Sequence, residues 1–174
     1  MRKSWWLLFT TALLSVWNAG IIWFTHIAVY PLWPLVGPDH FHDYHLAWWH
    51  GMWPAFGPVG LMLLCSIMLI GWRPAGVSRL LLWTGVLLQL TVHLLTAFFW
   101  APIQASMATP EGMSVEKYQE LMSTHWLRVV FFWAYAGLMI WIVVRFVSER
   151  LRLETLNEEI ARVEQGRSAI RRNA

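Results

Sequence analysis

The sequence predicts an all-α, polytopic membrane protein: an antiparallel bundle of four transmembrane helices followed by a C-terminal cytoplasmic helix. Composition is the first reason. The chain is 57% hydrophobic and 13% charged, whereas soluble domains run near 45–50% apolar and about 25% charged. The second is that the apolar residues gather into four long runs, 5–30, 46–72, 77–100 and 126–147. Each is long enough for the ~20 residues a helix needs to cross a ~30 Å hydrocarbon core. The third is charge. With the N-terminus cytoplasmic, every Lys and Arg except Lys117 and Arg128 lies inside, and the outer segments carry Asp39, Asp43, Glu111, Glu116 and Glu120. The positive-inside rule therefore predicts a multi-pass membrane protein with both termini cytoplasmic. Residues 1–147 form the transmembrane domain and 148–174 a charged tail.

The net charge of +3 reports orientation rather than nucleic-acid binding, because the basic residues are scattered over helix ends and the tail. Arg2 and Lys3 ahead of a Leu-rich segment imitate a signal peptide, but the run is too long for one and reads as a retained anchor. Cys65 is the only cysteine. It can form no internal disulfide and reads as a buried thiol.

Span 1 carries Asn18 and Thr25 seven residues apart on one face with His26 beside them, a pattern that turns polar groups toward the bundle interior. Pro31, Pro34, Gly37 and Pro38 then make a turn-rich outer loop. Between residues 39 and 50 fall His40, His42, His45 and His50, flanked by Asp39 and Asp43. His42, His45 and Trp49 share one helical stripe. A histidine pair at i, i+3 can hold one metal, and a nearby carboxylate can fix a ring tautomer. Interfacial anchoring is the competing reading. It is favoured for His40 and His42, and function for His45 and His50. Pro54 and Pro58 interrupt span 2 just beyond, and a bend there would open space beneath the histidines.

Span 3 presents Gln89, His93, Thr96 and Trp100 on one stripe, a polar face within hydrocarbon that must look into the bundle. His93 lies about 10 Å from the outer end of its span and is the histidine least easily explained as an anchor. The long connection 101–124 is broken by Pro102, Pro110 and Gly112, after which Ser114 caps a short helix at 115–122. Its Met107, Met113 and Met122 could contact copper, although methionine more often fills gaps. Span 4 opens with His125 and Arg128 three residues apart on one face. Arg128 either snorkels to headgroups or points inward at an anionic group. Tyr135 lies deeper near the same face. All seven histidines thus fall in the outer half.

In the tail, Leu153, Leu156, Ile160 and Val163 recur at 3–4–3 spacing, which fits a short coiled coil or an amphipathic helix, with fraying from Gly166. Aromatic belts account for Trp5, Trp6, Trp72 and Trp141 at the inner interface and for Trp33, Trp48, Trp49, Trp100 and Trp126 at the outer. Trp17, Trp23, Trp53, Trp83 and Trp133 are left to line a pocket for a flat ligand.

The segments His26-Ile-Ala-Val-Tyr-Pro31, Phe41-His-Asp-Tyr-His45 and Thr124-His-Trp-Leu-Arg128 resemble those of a group of small bacterial four-helix membrane proteins. That group is in turn distantly similar to the anthrone-oxygenase-like family, whose members oxidise polycyclic phenolic anthrones with dioxygen. The third segment departs from the group's Thr-Asn-Trp-Ile-Arg-Thr pattern at His125 and Val129. The resemblance covers the four spans and not the tail.

Three functional expectations arise. The first is a histidine-rich outer site that binds copper, iron, zinc or haem and serves an oxidoreductase. Its metal ligands would come from His45, His50, His93 and His125, with His26, Trp49 and Tyr135 against the cofactor and His93 and Arg128 as catalytic groups. The second, implied by the resemblance, is an oxygenase acting on an apolar aromatic small molecule in a Trp-lined pocket. The third is a non-enzymatic subunit of a homo-oligomer or larger membrane complex.

Overall fold

The computed structural model describes residues 2–172, with side chains for residues 5–166. It is all-helical apart from one two-residue hairpin. Four helices are long and apolar enough to cross a membrane, at Trp5–Leu35, Trp53–Gly71, Arg79–Ala105 and Val115–Gly166.

The first begins as α1, Arg2–Phe24, passes into a π-helical turn at Thr25–Val29, and ends in a 3₁₀ stretch at Tyr30–Leu35. Pro31 and Pro34, which lack the N–H an α-helix needs, fall in that last stretch. Gly37 then leads into α2, Pro38–Gly51, with Pro38 in its first turn and Asp39 favourably placed at the positive helix start. The single second span expected over 46–72 is instead two helices, because the chain breaks at Met52 and restarts as α3, Trp53–Gly71. Pro54 sits in the first turn of α3, where its missing N–H costs no intrahelical bond. The break thus comes before the prolines rather than at them.

The third span is α4, Arg79–Leu95, a second π-helical turn at Thr96–Trp100, and the short α5, Ala101–Ala105. A hairpin comes next, β1 Ala108–Thr109 paired antiparallel with β2 Gly112–Met113. Gly112 has φ +111, and a Cβ there would lie 2.7 Å from Pro38 Cα, so glycine is required both by conformation and by space. The expected short helix, span 4 and tail are one helix, α6, Val115–Arg172. Ser114 Oγ accepts from Lys117 N–H at 3.4 Å, a capping bond at its start. The helix runs on through Gly166, and residues 151–166 are all exposed. The cation side chains of Arg2, Lys3, Arg167, Arg171 and Arg172, which contribute to the charge asymmetry, lie outside the described side chains, as do residues 173 and 174 altogether.

Helix α1 packs against α3 and α6, and α4 against the same two. The buried face of α1 runs Leu8, Thr11, Ser15, Asn18, Ile22, Thr25. That of α6 runs Leu121, His125, Arg128, Phe132, Tyr135, Met139, Ile142, Phe146. The 3–4 spacing is that of knobs-into-holes packing. Thr11, Ser15 and Thr25 each donate to a carbonyl on their own helix, so these buried hydroxyls are satisfied locally. Asn18 Nδ2 instead crosses to Pro58 O at 3.3 Å, tying α1 to α3. Of the five tryptophans reserved for a pocket, Trp53 lines the cavity described below, while Trp17, Trp23, Trp83 and Trp133 are about half exposed.

Candidate functional site

The two π-helical turns bear on one turn of α6. The first contains His26, whose ring stacks on His125 with Nδ1 atoms 3.3 Å apart. The second contains Thr96, whose Oγ1 accepts from Arg128 Nε at 3.1 Å, and Trp100, whose ring lies 5.2 Å beneath the guanidinium. A π-turn inserts an extra residue and rotates the helix beyond it, and such turns concentrate at functional sites. Here they bring a polar group from span 1 and two partners from span 3 to His125 and Arg128.

Arg128 is 8% exposed. Its other neighbour is Tyr30, whose hydroxyl accepts a hydrogen bond from Gln104 Nε2. No carboxylate pairs with Arg128 among the described residues. A buried guanidinium held only by a hydroxyl, a phenol and an aromatic face retains most of its donors and its charge, which is an expensive arrangement unless something anionic completes it.

Arg128 lines a cavity of about 400 Å³, within the range of small-molecule sites. Trp48, Trp49, Trp53, Phe56 and Phe132 supply aromatic walls, and Tyr30, His93, Thr96 and Gln104 the polar groups. Trp48 and Trp53 flank the break at Met52, so the break between α2 and α3 lets both rings reach the cavity. Trp53 is also 61% exposed, so it is only partly covered by the cavity's other walls.

His93 is anchored through its ring: Nδ1 lies 2.6 Å from the Gln89 carbonyl, an acceptor only, so Nδ1–H donates to it, which leaves Nε2 as the ring's second polar atom. That Nε2 is buried and makes no hydrogen bond among the described residues, and neither does the indole N–H of Trp48. Trp48 and His93 thus line the cavity beside the Arg128 cation, with two partnerless polar atoms buried in its wall.

The other expected site residues divide. Trp49 lines the cavity. His26 and His125 meet each other one turn from Arg128. His45 is buried, but in an aromatic box of Trp33, Phe41 and Trp48 with ring centroids at 5.3, 5.7 and 5.9 Å. Burial there holds its imidazole below the usual range, and His42 pushes the same way. His40, His42 and His50 are exposed. Tyr135 is bonded to Ser66 deeper in the core and does not line the cavity. The structure therefore does not bring His45, His50, His93 and His125 together, and no group of three or more His, Cys, Asp or Glu forms a metal site among the described residues. An ion between His26 and His125 would gain two of the roughly four ligands that zinc takes in structural sites.

Sequence reasoning missed Tyr30, Gln104 and the structural role of Trp100. Trp33 and Trp100, placed in the outer aromatic belt, are 0% and 1% exposed. No family model, curated protein or solved structure matches the chain.

Proposed function

We propose that the protein is an integral protein of a bacterial inner membrane, an antiparallel four-helix bundle with cytoplasmic termini. In this reading its outer half binds an apolar small molecule carrying an acidic oxygen. The observation that supports this most is Arg128: a buried guanidinium without a carboxylate partner among the described residues, lining an aromatic-walled cavity. In that low-dielectric setting a charge-assisted hydrogen bond from Arg128 to an anionic oxygen is short and strong. In this reading a side-chain rearrangement on binding would let the buried Trp48 N–H donate to the ligand and His93 Nε2 exchange a proton with it. The chemistry best matched is acid–base or oxidoreductase turnover of an apolar aromatic. The resemblance to anthrone-oxygenase-like proteins leads to the same class, in which dioxygen would be the oxidant.

A metal-centred site is the second reading, and the His26–His125 contact is what favours it. It rests on two imidazoles rather than the four expected from the sequence.

Photolabelling separates the two. The purified protein is irradiated with a diazirine-bearing aryl carboxylate and the labelled peptides are mapped. The pocket reading expects label in 48–59 and 92–104, suppressed in Arg128→Gln. Label spread over the outward faces of α1 and α4, in the pattern given by an uncharged lipid diazirine, would contradict it.

A further inference from the structure

A second cavity, of about 450 Å³, lies at the opposite end of the helices, between the loop after α3, the start of α4 and the middle of α6. Its level is marked by Trp5, Trp72 and Trp141, all partly exposed, the distribution of an aromatic belt at a membrane interface. Val77, Leu81, Ile142 and Phe146 give it an apolar floor, and Arg145 and Arg150 a cationic rim.

Both rim guanidiniums lie over aromatic rings, and among the described residues neither donates a hydrogen bond. Arg145 lies 5.7 Å from the Trp141 ring centroid, and Arg150 lies 4.9 Å from Trp5 and 5.4 Å from Phe146. A cation over an aromatic face is held by the ring's quadrupole and needs no hydrogen bond to hold it there. Among the described residues neither arginine ion-pairs with a carboxylate, although Glu149 lines the same cavity. The nearby Arg73 differs: its Nη1 donates to Val77 O at 3.0 Å and is occupied in holding the loop.

We infer that this cavity binds the phosphate headgroup of an anionic phospholipid in the leaflet at the N-terminal end, with Arg145 and Arg150 on the phosphate and the lipid's apolar part on the floor below. Arginine forks suit phosphate oxygens. A free phosphate would satisfy the same arginines, but an apolar floor under a cationic rim at belt level suits an amphiphile rather than a small ion. The site is independent of the Arg128 pocket.

The test uses the full chain in a neutral detergent, titrated separately with phosphatidylglycerol, phosphatidylcholine and inorganic phosphate. Bound lipid is read by native mass spectrometry and stability by thermal shift. Phosphatidylglycerol is expected to be retained in preference to phosphatidylcholine. R145Q/R150Q should weaken that retention about tenfold or more, since each surface arginine contributes roughly fivefold toward anionic lipid. R145K/R150K should keep part of it, and R162Q, on the exposed tail, all of it. Undiminished retention by R145Q/R150Q would overturn the site. So would an equal loss in R162Q, which would reduce the effect to net charge. A thermal shift from inorganic phosphate without any preference for phosphatidylglycerol would overturn the lipid assignment and leave a free anion as the occupant.

Discussion

The two ends of the helices each hold arginine against aromatic rings, yet they solve different problems. At the N-terminal end Arg145 and Arg150 stack on Trp141 and Trp5 at the rim of an open cavity, where water can solvate whatever the protein leaves unpaired. At the other end Arg128 is buried against Thr96, Trp100 and Tyr30, and among the described residues no carboxylate pairs with it. The same side chain is therefore weakly committed in one place and strongly committed in the other. A rim arginine can be lost at little cost to the fold. A buried, unpaired one is hard to explain except by what it binds.

The sharpest way to break this contrast is to remove the buried charge. Arg128→Leu should leave thermal stability unchanged or raise it, because an apolar side chain replaces an uncompensated cation. It should also lower affinity for an aryl carboxylate by about 10- to 100-fold, the value of a charged hydrogen bond. Loss of stability together with binding, measured by thermal unfolding in detergent, would make Arg128 a structural residue instead.

Next in size is Gly112→Ala. The added methyl meets Pro38, and the left-handed backbone disfavours it, so the hairpin should be pushed off α2 at a cost of about 1–3 kcal/mol. Because α2 carries Trp48 and Trp49 to the pocket, carboxylate binding should weaken while phosphatidylglycerol retention at the far end stays unchanged. Tyr135→Phe lies between the two sites and removes the bond to Ser66. It should cost about 1 kcal/mol in thermal unfolding and alter binding at neither end.

The smallest effect concerns pH. His45 has a folded-state affinity for protons below the ordinary one, so the unfolded chain takes up protons first as pH falls below about 6.5. Stability is present in full above that value and declines below it. His45→Phe should flatten this part of the curve of melting temperature against pH, and an unchanged slope would mean that the box around His45 does not exclude water.

The four apolar runs were legible because span length and hydropathy are properties of the chain alone. So was the gathering of the histidines toward one end of the spans, and Arg128 stood out as the one arginine on the side poor in cations. What the sequence concealed lies in helix geometry. Treating spans 1 and 3 as regular 3.6-residue helices hides the π-turns at Thr25–Val29 and Thr96–Trp100, and with them the meeting of His26 with His125 and of Thr96 and Trp100 with Arg128. The break at Met52 was displaced from the prolines that suggested it, so Trp48 read as an interfacial anchor rather than a cavity wall. The stripe that grouped His45 with His42 was real, but a helix face does not say what will cover it, and aromatic rings cover His45.

The relative affinity of the purified protein for an apolar aryl carboxylate and for its methyl ester, compared between wild type and Arg128→Gln, tests the central claim most directly. The two ligands share size and apolar surface and differ in charge. A preference for the acid of about tenfold or more, abolished by the substitution with ester binding intact, is the expected result. Equal binding of acid and ester by the wild-type protein, or a preference that survives in Arg128→Gln, would contradict it.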